Sequence, residues 1–464
     1  MKAANAPGTP PGPTPAVRVL VIGGGYVGTY TALRLQRNLA ASIARGETEI
    51  VLVTPDPYMT YRPLLPEAAA GSIDPRHVVV PLRRLLDRCR IVIGEAHAVD
   101  HAKRTATVST LATADEGTGT TTIAYDELVL APGTVSRTLP VPGLAEHGIG
   151  FRTLEEAIGL RNHVIEQLDL ASSTRDPELR AAALTFVFVG GGYAGVEALA
   201  ELEDMARYAV RHYHNVGPED MRWVLVEAAD RVLADVAPDL GAYTVSELRR
   251  RGVDVRLNTR LARCTDRVAH LSDGSRLPTR TLVWTTGTAP HPLLTATDLP
   301  LTDTGRLACT ARLAVDGAPH AWGAGDAAAV PDLTRPGEHT APHAQHALRQ
   351  ARLLGDNIAA ALEGRPLKDY VHRSATCVAS LGLHKGVAHV RGRPVKGYPA
   401  WFLHRVRHLR GVPTVRRKVR VLAEWTLAGL FSREIVSLGS LEHPRAAFEQ
   451  AAGDTAPDDP KGST

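Results

Sequence analysis

The chain has 464 residues, 44% of them hydrophobic and 22% charged, with a formal net charge of +4. This balance excludes a chain dominated by disorder and allows two or three domains with real cores, while no run approaches the roughly 18 consecutive apolar residues of a membrane span. The charge is uneven: residues 371–423 hold twelve Lys or Arg and no acid, which leaves the rest of the chain at −8, so a basic module on an acidic body points to an anionic surface as partner and away from nucleic acid.

Residues 1–16 are rich in Pro, Gly and Thr, lack the apolar run of a signal peptide, and read as a flexible tail. A β-branched strand over 18–22 then runs into Gly23-Gly24-Gly25-Tyr26-Val27-Gly28, a helix is expected over 26–39 and a second strand over 49–53. In such a unit Gly23, Gly25 and Gly28 let the backbone turn tightly and approach a pyrophosphate, which meets the free N–H groups of the following helix. The acid that ordinarily ends the second strand and holds the adenosine ribose is replaced by Thr54, with Asp56 two residues on. Tyr125 to Gly133 reads as a strand entering a Pro-Gly turn.

The same grammar returns with a strand over 184–189, the glycines Gly190, Gly192 and Gly195, a helix from about 195 to 211, and a strand over 223–226 ending at Glu227. A carboxylate there accepts bonds from both ribose hydroxyls and repels a 2′-phosphate, which favours NADH over NADPH, although Arg231 lies close enough in sequence to meet a phosphate. Two cradles imply two dinucleotides, one handing electrons to the other, and hence a redox enzyme. With its helix starting near Gly195, Glu197 falls in the first turn, where the dipole favours any acid. Residues 282–287 form a strand-turn counterpart of 125–133, residues 321–326 a short strand ending in Gly325-Asp326, and a helix is expected over 343–362. The order suggests that the second dinucleotide domain is inserted in the first.

The four cysteines, Cys89, Cys264, Cys309 and Cys377, have no C-x-x-C spacing, so a redox disulfide is not expected and a reducing cytosol fits. His339, His343 and His346 lack an acid or cysteine at ligand spacing, so no metal is expected and they read as surface residues. In the basic module, Phe402, Val406 and Leu409, then Val415, Val419, Leu422, Thr426 and Leu430, mark the apolar stripes of two short amphipathic helices. With Trp401, Phe402 and Trp425 as interfacial anchors, such helices suit an anionic membrane surface; a hairpin packed on its own core or across a homodimer is the other reading. Residues 446–464 read as a second tail.

Taken together, the cradles and Gly325-Asp326 resemble the two-dinucleotide-binding-domain flavoproteins, and within them the type II NADH dehydrogenases that reduce membrane quinones. The resemblance covers roughly residues 17–441 and extends to Tyr61-Arg62-Pro63-Leu64-Leu65-Pro66-Glu67, Gly195-Val196-Glu197, Ala344-Gln345-His346-Ala347 and Gly382-Leu383-His384-Lys385. It implies an α/β fold with two Rossmann-like domains. The first, over 17–151 and 291–370, would bind FAD through Gly23, Gly25, Gly28, Thr54, Arg62, Ala131, Gly133, Gly325 and Asp326. The second, inserted over 152–290, would bind NADH through Gly190, Gly192, Gly195, Glu227 and Gly287, and a C-terminal α+β module over 371–445 would carry the amphipathic helices.

The resemblance also implies a reaction in which NADH gives a hydride to the flavin and a quinone takes two electrons near Gln345, Gln350 and Lys385. Glu197 would assist with a proton, the N-terminus of the helix near His343 would stabilise charge on the flavin, and the protein would sit peripherally on the cytoplasmic face of the membrane without pumping protons. Arg349 departs from the family, which has glutamine there. Three other readings stay open. A soluble NAD(P)H-dependent reductase of a ferredoxin or rubredoxin carrier shares both cradles, sulfide:quinone oxidoreductases share the architecture but need cysteines near the flavin, and a redox-sensing interaction protein would bind both cofactors without turnover.

Overall fold

The computed structural model describes residues 17–115, 117, 119–372, 376–390, 392–431 and 435–437. The two expected tails, at 1–16 and 446–464, and the end of the basic module lie outside the described residues. The described residues divide into two compact units: those within 17–61, 79–137 and 287–372 form the first, and those within 62–78, 138–286 and 376–437 the second.

The first unit is built on a seven-stranded sheet in the order 321–323, 127–130, 17–22, 48–54, 90–100, 105–110, 121–124. The strands from 321–323 to 90–100 pair in parallel and the last two add antiparallel. Val19–Val21 and Val51–Leu52 have no solvent exposure, which is why their sequences are continuous apolar runs and not alternating ones. Strand Val17–Ile22 lies between strand Thr48–Thr54 and strand Glu127–Leu130, so chain connections leave its carboxyl end in opposite directions and open a crevice where Gly23 begins. Helix Tyr26–Asn38 packs on helix Ala344–Leu362. A Cβ at Gly355 would collide with Arg34, and this close approach lets Thr31 Oγ1 donate to the Ala351 carbonyl at 3.1 Å and Arg34 pair with Asp356 at 2.6 Å.

In the second unit the strands run 148–150, 281–284, 185–189, 222–226, 254–256, all parallel. Strand Thr185–Val189 occupies the same switch position as Val17–Ile22 does in the first unit. Because strand Gly148–Gly150 is an edge of this sheet, residues 138–151 fold with the second unit, and the chain divides at 137/138 and 286/287. Helix Leu154–Ser173 starts in a capping box, Thr153 with Glu156. An antiparallel meander over 376–396 buries Val378 and Ala388 against Ala400 of helix Tyr398–Gly411.

The two amphipathic helices form as Tyr398–Gly411 and Val415–Leu430, but two of the three expected anchors, Trp401 and Trp425, are turned inward. Ala400, Trp401 and His404 are the buried residues of the first, and Phe402 is 57% exposed. In the second, Val421 and Trp425 face inward, while Val415, Val419, Leu422 and Leu430 face out. Trp401 and Trp425 are therefore core residues, not interfacial anchors, and the apolar stripe read from the sequence of the second helix is its outer face.

One buried polar node ties the first sheet together. Glu127, in the interior, accepts from Trp322 Nε1 at 2.7 Å and pairs with His320 Nδ1 at 2.8 Å. Glu127→Ala leaves the indole N–H buried without an acceptor, so a loss of about 1–3 kcal/mol is expected, read as a lower urea midpoint; an unchanged midpoint contradicts this.

Candidate functional site

Each glycine cradle sits at the carboxyl end of its central strand. In the first, Gly23 has φ +109°, and a Cβ on it would enter the Ala131 carbonyl. A Cβ on Gly28 would strike the Gly23 carbonyl oxygen, whereas nothing lies near the Cβ direction of Gly25. The closed positions fold the loop and the open one faces outward, as a phosphate cradle requires. Buried Thr54 lies beneath Gly24, its hydroxyl donating to the Asp56 carbonyl at 3.2 Å. Ala131 is buried beside Gly23, and Gly133 has φ +79° with open space around it.

Gly325 has φ +68°, and a Cβ on it would meet Val27 of the cradle helix and Ala347 of helix Ala344–Leu362. That helix has no side-chain cap at His343, which leaves its first N–H groups to other partners. Asp326 Oδ1 is buried and accepts no hydrogen bond from a described residue. Such a carboxylate, aimed beside a cradle, asks for hydroxyl donors on a bound molecule.

The second cradle repeats the first with Gly190 at φ +115°, Gly195 closed against the Gly190 carbonyl and Gly192 open. Thr285 Oγ1 donates to the Val189 carbonyl at 2.9 Å, fixing the turn. Glu227 takes the place that Thr54 has in the first, accepting from Gly191 N at 2.5 Å and Ala229 N at 2.8 Å. Arg231 donates to the Ala234 carbonyl at 2.5 Å and is thus held in its own loop. Gly287 has φ +65° and is exposed.

The remaining expected residues are placed unequally. Gln350 is fully buried: its Oε1 accepts from Gly325 N at 2.7 Å and its Nε2 donates to Thr340 Oγ1 at 3.0 Å. Both ends of its amide are engaged, so it holds the Gly325-Asp326 turn and does not face an acceptor. Gln345 and Arg349, one turn apart on the same helix, are half-buried and exposed. His346, read as a surface residue, is buried with Nδ1 2.9 Å from the Tyr370 hydroxyl. Arg62 is exposed and opens the short turn Arg62–Leu64, which belongs to the second unit. The cysteines are free thiols, and burial pushes Cys89 and Cys309 up to about 12.

Within the second unit, Glu197 and Lys385 come from neighbouring elements. Helix Tyr193–Ala209 begins two residues before the expected start, so Glu197 lies a full turn inside it, beyond the favourable dipole end. Burial raises Glu197 to about 8, against the lowering effect of its bond from Ser380 N at 2.8 Å. His404 Nε2 lies 3.1 Å from the same oxygen.

Ser380 Oγ also donates to Glu201 at 2.9 Å, and Leu383 N donates to Asp204 Oδ2 at 2.5 Å. The acids Glu197, Glu201 and Asp204, at i, i+4 and i+7 of one helix face, thereby hold the Ser380–Lys385 turn. Arg251 pairs with Glu203, and with Asp204 at 2.9 Å, and donates to the Leu381 carbonyl at 2.5 Å.

A second buried acid, Glu67, accepts from Trp425 Nε1 and lies 3.9 Å from Arg405. The Arg405 guanidinium stands 4.1 Å from the Trp401 ring centre and 4.8 Å from that of Trp425, a cation held between two indoles. Burial raises Glu67 to about 7, opposed by Arg405 and reinforced by Glu201. Sequence reasoning passed over Glu67, Glu201, Asp204, Arg251, Ser380 and His404. The acids at helical spacing were a legible signal, but the partners lie far away in the chain.

Two cradles at two switch points, an unpaired buried carboxylate beside one and a ribose-type acid in the other, define an oxidoreductase with two dinucleotide sites. The family described as pyridine nucleotide-disulphide oxidoreductase matches residues 17–351, and the chain belongs to it. A type II NADH:quinone oxidoreductase of Staphylococcus epidermidis is 29% identical over 403 residues, covering 85% of this chain and 95% of its own. One from Mycobacterium tuberculosis is 26% identical, covering 90% and 89%. The solved structure of NDH2 from Plasmodium falciparum in complex with NADH matches with a TM-score of 0.81 at 15% identity, covering 91% of this chain and all of that one, which establishes a common fold.

Because Glu67 and Glu197 titrate near 7 and 8 when folded and near 4.5 when unfolded, the native protein holds protons that the unfolded chain has released. Stability should therefore fall as pH rises from about 5 to 8. Glu197→Gln should flatten that decline, measured as urea midpoints at several pH values; an identical slope in variant and parent counts against a raised Glu197.

Proposed function

We propose that the protein is an FAD-dependent NADH:quinone oxidoreductase that works at a membrane surface without moving protons across it. The observation that carries this reading is the buried Glu197, whose carboxyl burial pushes up to about 8, beside the turn that ends at Lys385. A ferredoxin or rubredoxin takes electrons alone, whereas a quinone takes two electrons and two protons, so a proton held in the interior belongs with a quinone. The names of the relatives agree.

The residues fit FAD in the first unit. Gly25 leaves room for the pyrophosphate, Gly23 and Gly28 shape the loop, and Asp326 Oδ1 offers an acceptor for the ribityl hydroxyls. Gln350 positions Asp326 through Gly325. Thr54 supplies a hydroxyl where a ribose carboxylate is usual, and Ala131 and Gly133 complete the proposed contacts within this unit, to which Arg62 does not belong. When bound, FAD supplies the hydride acceptance and two-electron transfer that no side chain here provides.

In the second unit NADH lies along Gly190, Gly192 and Gly195, with Glu227 accepting from the ribose; Gly287, just past the division of the chain, belongs to the first unit. A carboxylate fixed by two backbone N–H groups, with Arg231 turned to its own loop, disfavours a 2′-phosphate. Quinone reduction is assigned to the second unit, near Glu197 and Lys385, where the Lys385 ammonium is suited to a quinone carbonyl oxygen.

Gly195→Ala should keep bound flavin, seen by its visible absorbance, and lose bleaching by NADH, whereas Gly28→Ala should lose the flavin itself. The reverse pattern would exchange the two sites, and a Gly195→Ala protein still bleached by NADH would refute the assignment. Steady-state NADH oxidation with a short-chain quinone tests the activity as a whole.

Among the described residues no helix is long and apolar enough to cross a membrane. The outer face of helix Val415–Leu430 supplies a peripheral alternative, with Val415 76% and Leu430 73% exposed and Arg416 and Arg420 exposed beside them. Such a face inserts its apolar side chains while each cation gains about 1 kcal/mol at an anionic surface; a site of NADH supply puts it on the cytoplasmic face. Val419→Glu with Leu422→Glu should abolish flotation with anionic liposomes and leave NADH-driven ferricyanide reduction unchanged; continued flotation would remove this helix as the anchor.

A further inference from the structure

The chain's last two described helices carry a feature that the quinone reading leaves unused. His404 lies inside the second unit at 2% exposure. Its Nε2 faces Glu197 Oε1 at 3.1 Å, and its buried Nδ1 is hydrogen-bonded to no described residue. One turn on, the ring of His408 stands 4.3 Å away, centre to centre, on the same helix face, and His408 is partly exposed. Glu197, His404 and His408 thus form a continuous line from an interior carboxyl to the surface.

The contacts around Glu197 suit one arrangement of protons. Glu197 Oε1 accepts the Ser380 N–H and faces His404, while no described residue hydrogen-bonds Oε2. In the tautomer in which His404 Nε2 donates, Oε1 receives two donors and the acid carries its own proton on the other oxygen. Oε2–H is then the deliverable proton, and the His404 Nδ1 lone pair is the open acceptor.

We propose that His404 relays the proton that Glu197 gives to quinone, receiving it at Nδ1 from the His408 side and passing it on from Nε2. The inference rests on the proposed quinone reduction. In one step the Oε2–H bond breaks and an O–H bond forms on the quinone. The Nε2–H bond breaks as Oε1–H forms, and a solvent proton bonds to Nδ1. The two electrons and the quinol's other proton come from the hydride of NADH; between turnovers tautomer exchange of the imidazole restores the Nε2–H form, and rotation of the Glu197 carboxyl group returns its proton to the quinone side.

The charged neighbours favour this order. Burial, reinforced by Arg405 and Arg407, brings His404 down to about 3, and burial with His404 and Arg407 holds His408 well below its usual value, so both imidazoles are neutral. Around the carboxyl stand Glu67, Glu201, Tyr193 and Ser380, and burial raises Glu197 to about 8. A relay of this kind never rests in the doubly protonated state that the buried site would penalise.

His404→Gln separates relay from support, because a glutamine amide reproduces the N–H donor to Oε1 but cannot take up a proton on one atom and release it from another. The expected result is a quinone-reductase kcat lower by roughly 10–100-fold, the low end of what a placed proton-transfer group contributes. KM should change little, the solvent deuterium isotope effect should rise, and reduction of ferricyanide, which takes no proton, should remain within about twofold.

Wild-type quinone kcat in His404→Gln beside a slow Glu197→Gln overturns the relay and leaves the quinone reading intact. Full activity in Glu197→Gln overturns the acid and the relay together. If His404→Gln also loses ferricyanide reduction, His404→Gly decides: recovery of quinone turnover with added imidazole supports the relay, and no recovery overturns it.

Discussion

Carboxylates do not enter a protein interior uncompensated, and the second unit takes Glu67, Glu197, Glu201 and Glu203 inside. Much of its architecture follows from how each is answered. Arg251 meets Glu203 and Asp204, Ser380 meets Glu197 and Glu201, and Trp425 with Arg405 meets Glu67. These partners draw the C-terminal meander and its two helices onto helix Tyr193–Ala209. The acid-free run of the sequence is thereby divided. Arg405 and the buried His404 answer interior acids, while Arg416 and Arg420 remain outside.

Compensation is uneven, and the unevenness has a chemical result. Glu203, in an ion pair with Arg251, has a cation beside it, whereas Glu197 has only a backbone N–H and a neutral imidazole. One acid is held charged in an ion pair and burial pushes the other up to about 8, although both lie on one helix.

The dinucleotide units were legible because their signals are local. Glycines at closed positions, a strand before and a helix after lie together over 17–38 and again over 185–209, and the structure adds only that each opens at a switch point of its sheet. Gln350 was not legible, because nothing in Gln350 itself says that Gly325 N and Thr340 Oγ1 will claim both ends of its amide. Nor was the orientation of the basic helices. Periodicity found an apolar stripe on each, but Trp425 turns inward to Glu67, 358 residues away in the chain, and Arg405 stands between it and Trp401. Glu197 was found by its motif and its partner His404 was not, since two hundred residues separate them.

The helix Val415–Leu430 has two incompatible solvents. Its inner side lends an indole N–H to a buried glutamate, and its outer side shows aliphatic groups to water. Trimming it to make a better-behaved soluble protein would therefore not remove a passive appendage: it would leave Glu67 without its indole and Arg405 without one of its two aromatic walls. Handling of this enzyme outside its native setting is better pursued by recolouring the outer stripe with polar side chains, or by covering it with detergent, than by shortening the chain.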